Sequence, residues 1–188
     1  MALSPAQIEI LQQFEAGLDP RRPERSRIPA RVLGYGEIST VLAIEAEGLE
    51  GLAFKRLPLF RSQKEIEAYA AAYQEYNRLL QQEIGLRLPS HNHATLLSRS
   101  GRAVFYIVQR QMPSSSIGNR ALHLLSPDMI QALVWRVLQE LSRVWTFNHR
   151  QSGVQVALDG QISNWSIEGF DPQRPLFDGT APLTYLDT

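Results

Sequence analysis

A glycine-punctuated turn, a lone lysine and three polar residues near the end of the chain are the residue types that could handle a phosphorylated ligand. The run Gly34-Tyr35-Gly36-Glu37-Ile38-Ser39-Thr40-Val41 is followed by Leu52-Ala53-Phe54-Lys55, which reads as a buried strand with one cationic tip. Lys55 and Lys64 are the only lysines, set against seventeen arginines. A compact ammonium at the end of an apolar strand, downstream of a turn whose backbone can approach a ligand closely, suits phosphate oxygens. Much later come Asp159-Gly160-Gln161-Ile162-Ser163-Asn164 and Tyr185-Leu186-Asp187, which carry hard oxygen donors. Each motif taken singly is weak, and their order along the chain is what gives them weight.

The elements that must position these residues follow from local signals. Ser4-Pro5-Ala6-Gln7 is a capping box with proline at the first helical position, and Ile8, Leu11, Phe14 and Leu18 recur at helical spacing. The proline-bearing stretch from Asp19 to Pro29 reads as a linker that sets this helix apart. Arg31-Val32-Leu33, Thr40 to Ile44 and Leu52 to Phe54 fit three antiparallel strands, with Gly34 and Gly36 in the first turn and Gly48 and Gly51 in the second. Ser62 to Glu65 is a second capping box, opening a helix expected to run to about Ile84, where Gly85 stops it. Strands are expected over Ala94–Ser98 and Ala103–Arg110, joined by a turn at Arg99-Ser100-Gly101-Arg102. Beyond an irregular, serine-rich stretch from Pro113 to Leu125, Ser126-Pro127-Asp128 caps a helix to near Arg150. Its Ile130, Leu133, Val134, Val137, Leu138, Leu141 and Val144 form one apolar stripe. Short strands and turns complete the chain.

Composition narrows the classes. The 188 residues suffice for one domain or two small lobes, and 44% hydrophobic content is that of a globular protein. A net charge of zero argues against a basic nucleic-acid footprint or a polybasic membrane surface. The absence of cysteine excludes disulfides, zinc–thiolate sites and a cysteine nucleophile. With no leader and no long apolar run, the expected location is cytoplasmic, and the arginine excess suggests a bacterial source.

Taken in order, these motifs resemble the protein-kinase-like superfamily, in particular its aminoglycoside phosphotransferase and choline kinase branch, from about Arg31 to the end of the chain. The resemblance implies an α+β, kinase-like two-lobe fold. It would have a five-stranded antiparallel N-lobe sheet with one long packed helix and an abbreviated, mainly helical C-lobe. The implied organisation is an N-terminal helix and linker over 1–29, an N-lobe and hinge over 30–112, and a partial C-lobe over 113–188. Gly34, Gly36, Ser39 and Val41 correspond to the glycine-rich loop, with Ser39 in place of its third glycine. Lys55 corresponds to the lysine of the third strand, Asp159 and Asn164 to the catalytic aspartate and metal-binding asparagine, and Asp187 to the aspartate of the metal-binding loop.

The roles implied are those of an ATP- and Mg²⁺-dependent phosphotransferase acting on a small-molecule hydroxyl. Lys55 would hold the α- and β-phosphates with Glu75 as its counter-ion, Gln109, Arg110 and Met112 would frame the adenine, Asn164 and Asp187 would hold Mg²⁺, and Asp159 would orient the acceptor. Four features depart from the pattern: Ala157 stands where active members carry histidine, Trp165 follows Asn164, the interval from Asn164 to Asp187 is long, and Thr188 follows Asp187. The superfamily's C-lobe continues past this aspartate, so the chain is expected to be a fragment or an abbreviated member. The alternative function is a non-catalytic, nucleotide-binding pseudokinase module acting through a protein partner.

Plainer readings stand beside each assignment. Gly34 and Gly36 also fit ordinary hairpin glycines, Lys55 a solvated strand end, Glu75 an exposed helix acid, Asp159-Gly160 a simple turn and Asp187 a frayed terminal residue. His91-Asn92-His93 reads as a loop, His149-Arg150 as cations complementing a helix C-terminus, and the aromatic residues of the two long helices as core.

Overall fold

The computed structural model describes residues 3–36, 38–98 and 101–188. Glu37 of the glycine-punctuated run and Arg99-Ser100 of the expected turn lie outside the described residues. The chain divides into two compact units, Met1–Ala72 with Ser90–Gln111 and Tyr73–Pro89 with Met112–Thr188. The second unit therefore takes Tyr73–Pro89 from the stretch that the sequence assigned to the N-lobe.

The first unit is built on one antiparallel sheet of five strands: β1 (Ala30–Tyr35), β2 (Thr40–Ile44), β3 (Leu52–Leu57), β4 (His91–Leu97) and β5 (Ala103–Arg110), in the order β1-β2-β3-β5-β4. Side chains alternate across the sheet, so Val104, Tyr106 and Val108 of β5 serve one face while Phe105 and Ile107 serve the other. The first face is covered by α1 (Pro5–Gly17), whose Leu11 and Phe14 are fully buried with Leu42, Phe54, Leu96, Tyr106 and Val108. Burying those two side chains contributes roughly 1.5–3 kcal/mol each. The helix that the sequence set apart with its linker is thus part of this core. Its start is as expected: the Ser4 hydroxyl accepts from the Gln7 amide at 3.2 Å and the Gln7 side chain accepts from the Ser4 amide at 2.8 Å.

The other face carries a ring cluster. Phe105 packs edge-on to Tyr69 with ring centroids 5.1 Å apart, Phe60 lies 5.2 Å from Tyr69, and His93 stacks on Phe105 at 5.2 Å. Burial lowers the His93 pKa below its ordinary value. Two expectations are corrected here. His91, Asn92 and His93 belong to β4 and not to a loop, because they pair with Gln109, Val108 and Ile107. Gly34 lies within β1 opposite Val41 and not in the turn, after an irregularity in register between Val32 and Gly34.

Tyr69 sits on α2 (Gln63–Arg78), which opens in the first unit and closes in the second. Its cap is a variant of the expected box: Ser62 Oγ accepts from the Glu65 amide at 3.2 Å, while the Glu65 carboxylate accepts from the amide of Arg61, one residue ahead of the cap. The helix widens into a π-helical turn over Leu79–Ile84 and stops at Gly85, whose φ of 77° is the left-handed conformation that glycine adopts without a Cβ penalty.

The second unit gathers that turn, a short α3 (Gly118–Ala121), the long α4 (Pro127–Arg150) and a hairpin of β6 (Trp165–Ile167) and β7 (Leu183–Tyr185) around one core. Helix α4 begins as its sequence requires, with the Ser126 hydroxyl accepting from the Met129 amide and Pro127 at the first position. Its apolar stripe is only half covered. Leu133, Val137 and Val144 are buried, whereas Val134 and Leu138 are exposed, and Trp135 and Trp145 are each 63% exposed. Those two tryptophans are therefore not core. The buried row includes Glu140, held at 2.6 Å by Arg136 and at 2.9 Å by Arg143 from the turns on either side.

Candidate functional site

In the first unit the strand registers bring the expected phosphate-handling residues into one row. Gly34 of β1 pairs with Val41 of β2, Val41 with Lys55 of β3, and Lys55 with Ile107 of β5. Strand alternation puts Val41, Lys55 and Ile107 on the sheet face that also bears Phe105, opposite the α1 face. Lys55 is half-buried. The turn ahead of it is closed by the Gly36 amide donating to the Ser39 carbonyl at 2.9 Å. Ser39 is buried, and a Cβ on Gly36 would fall 2.6 Å from its hydroxyl oxygen. Above Gly34, by contrast, a Cβ would meet nothing within 4 Å. The backbone of β1 is accessible to a ligand at that point.

At the far end of β5 the residues expected to form a hinge are partly engaged. The Arg110 amide donates to the Ser90 carbonyl at 3.0 Å and the Gln111 amide to Gly51 at 2.7 Å. Gln109 pairs with Ala53 and His91 inside the sheet. Met112 opens the second segment of the second unit.

The second unit draws Asp159, Asn164 and Asp187 into one locality. Trp165 pairs with Tyr185, and the ladder runs one residue further where the Leu186 amide donates to the Asn164 carbonyl at 2.8 Å. Asp187 follows directly. The loop bearing Asp159 is fastened to the same hairpin: its amide donates to the Tyr185 hydroxyl at 3.2 Å, and its carbonyl accepts from the Asn164 side chain at 3.4 Å. One Asp159 carboxylate oxygen accepts from the Gln161 amide at 3.0 Å, the local turn that aspartate makes before glycine. The Asp159 side chain remains exposed.

Two tyrosines complete the locality. The Tyr76 hydroxyl donates to the Ala157 carbonyl at 3.0 Å and adjoins the Tyr185 hydroxyl. Burial pushes the Tyr76 phenol up to about 12, with the nearby negative charge of Asp187 adding to the effect. Tyr185 moves the same way through burial, then through Tyr76 and Asp187. Both phenols therefore stay protonated through neutral pH, as polar props beneath an acidic rim. Their role was not read from the sequence. The signal was the period of two in Tyr185-Leu186-Asp187, which places residues 185 and 187 on one side of an extended segment.

Glu75 departs from the expected role. Its carboxylate is 54% exposed and is taken by Arg78, whose Nε and Nη2 donate to it at 2.8 and 2.9 Å. That hydrogen bond holds the Glu75 carboxyl below the usual range. The plainer reading, an exposed acid on a helix surface, is the one its geometry matches. Asn164 and Asp187 offer oxygen donors that Mg²⁺ accepts alongside water and phosphate, and among the described residues no group of three or more His, Asp or Glu side chains could hold a metal ion alone.

A five-stranded antiparallel sheet with helices, followed by a helical unit bearing a short hairpin, defines an α+β protein, and none of the described helices is long and apolar enough to cross a membrane. Residues 21–187 match the model of DUF6206, a family of unknown function, and the chain belongs to that family. No curated protein matches the chain.

Proposed function

We propose that this protein binds ATP with Mg²⁺ and transfers its terminal phosphoryl group to a small-molecule hydroxyl, through a kinase-like fold. The observation that carries the reading is the extension of the β6–β7 ladder by the bond from the Leu186 amide to the Asn164 carbonyl. It sets the amide side chain of Asn164 and the carboxylate of Asp187 on neighbouring strand ends, with the Asp159 loop tied to both strands.

Phosphoryl transfer needs positioning and neutralisation more than covalent chemistry. In this reading Lys55, presented by β3, takes the α- and β-phosphate oxygens, and the accessible backbone at Gly34 together with the Gly36–Ser39 turn covers the phosphate chain. Mg²⁺ would be held by Asn164 and Asp187 and would supply charge neutralisation for the phosphates. Asp159, exposed and fixed through its backbone, orients the acceptor hydroxyl and takes its proton as the phosphorus–oxygen bond to ADP breaks. Among the described residues the Arg110 and Gln111 amides are engaged, and the adenine edge would take the Met112 amide.

A second reading, nucleotide binding without turnover, is favoured by one observation: Glu75, the counter-ion that the resemblance assigns to Lys55, is engaged by Arg78. Incubation with ATP labelled at its terminal phosphate and a panel of sugar, aminoglycoside and amino-alcohol acceptors separates the two. Labelled product lost in Asp159→Asn supports transfer. Saturable ATP binding with no labelled product from any acceptor supports the second reading.

A further inference from the structure

On the α1 face of the sheet, away from the row that contains Lys55, the first unit contains a cavity of about 290 Å³ that neither functional reading uses. It lies at the edge of the core, where α1 has ended and the chain turns through Leu18 and Pro20. Arg56 lines it. The Nε and Nη2 groups of that guanidinium are both spent on Glu15, at 2.8 and 2.7 Å, and the Tyr106 hydroxyl donates to the same carboxylate at 2.5 Å. The carboxylate thus receives three hydrogen bonds, and two of them hold the guanidinium in one orientation. Tyr106 is a further hydrogen-bond partner of this guanidinium, and its Nη1 takes no part in the bonds to Glu15, so a pair of donors there is held in a fixed orientation.

Arg102 stands at the same cavity, exposed, and among the described residues it forms no ion pair. Among the described residues the ionised side chains lining the space are Arg56, Arg102 and Glu15, a balance of plus one. The rest of the wall is Leu18, Pro20, Pro58 and Val104, with Ser98, whose hydroxyl accepts from the Arg102 amide at 3.1 Å. The volume exceeds the ~150 Å³ void that admits a benzene ring. We infer that this cavity is a binding site for a small carboxylate with a short apolar body, its carboxylate gripped by Arg56 Nη1 and Arg102 and its body against Leu18, Pro58 and Val104. A planar guanidinium presents donors in the geometry that a carboxylate accepts, and the apolar wall favours an organic acid over a bare inorganic anion.

The test is a titration of the full chain with benzoate, and in parallel with inorganic phosphate, followed by NMR of backbone amides and arginine Nε–H groups. The expected result is saturable shifts at Arg56, Arg102 and Val104 with benzoate, an affinity at least tenfold weaker in Arg102→Gln, and unchanged benzoate binding in Lys55→Ala. Arg102 is exposed, so its substitution leaves the melting temperature in place, whereas replacing Arg56 would strand Glu15. The absence of shifts at these residues, equal benzoate affinity in Arg102→Gln, or phosphate binding as tightly as benzoate would each overturn the inference. Because Lys55→Ala serves as a control, failure here is distinct from failure of the nucleotide reading.

Discussion

The backbone amide of Leu186 donates to the carbonyl of Asn164 at 2.8 Å, one step beyond the last residue pair of the β6–β7 ladder. That bond makes neighbours of two motifs more than twenty residues apart in the chain, and it places Asp187 at the end of a paired strand. If Asn164 and Asp187 hold Mg²⁺, removing either donor acts on metal-dependent binding and little on folding. Asn164→Ala and Asp187→Ala should each reduce the Mg²⁺-dependent enhancement of ATP affinity by about tenfold, or about 1.4 kcal/mol. Calorimetric ATP titrations at several Mg²⁺ concentrations check this, and an enhancement that survives both substitutions would remove these residues from the metal site.

A second prediction concerns the first unit. Glu15 is almost wholly buried and receives Arg56 and Tyr106. Glu15→Ala leaves the Arg56 charge uncompensated within the fold, which costs about 3–5 kcal/mol for a buried pair broken on one side. Urea unfolding should show a midpoint lowered accordingly. Tyr106→Phe removes one hydrogen bond to a charged acceptor and should cost roughly 1.5–3 kcal/mol. A neutral Glu15→Ala would mean that the bond adds nothing to the packing of α1.

Stability should also fall at alkaline pH. The Tyr76 phenol is raised from 10.0 to about 12 by burial, and Tyr185 and Tyr106 are raised in the same direction. An acid whose folded pKa is raised keeps its proton in the native state after the unfolded chain has lost it. Its contribution is therefore complete below about pH 10 and is lost as pH rises from there through about 12. Thermal melts from pH 8 to 12 should be level at first and then decline, and Tyr76→Phe should make the decline shallower. An unchanged profile in that variant would assign the alkaline loss to other groups.

Much of this architecture is written locally. The serine caps, the glycine stop at Gly85 and the period-two strands are short-range devices, so β2, β5, α1 and α4 begin and end close to where their residues place them. What escaped depended on long-range partners. Glu15 looks like a surface acid on a helix whose apolar positions are Ile8, Leu11, Phe14 and Leu18, and only the approach of β3 and β5 supplies Arg56 and Tyr106. His91 to His93 have weak strand propensity and become a strand because β5 offers a ladder. Glu75 had a partner three residues away in Arg78, a helical pair that spacing alone could have revealed. In the candidate site, Asp159, Asn164 and Asp187 were legible as oxygen donors, while Tyr76 was hidden among helix aromatics expected to serve only the core and Tyr185 was read only as part of the motif that ends in Asp187.

The most direct test of the account is calorimetric titration of ATP, with and without Mg²⁺, into the wild-type protein and Lys55→Ala. Lys55 is half-buried with its stem supported by β2 and β5, so the substitution removes the ammonium without emptying a core position. The account predicts Mg²⁺-dependent binding to the wild type and an affinity lower by roughly ten- to a hundredfold in the variant, the worth of a charge-assisted hydrogen bond of about 1.5–3 kcal/mol. Equal affinities in the two proteins, or no ATP binding by the wild type, would contradict it.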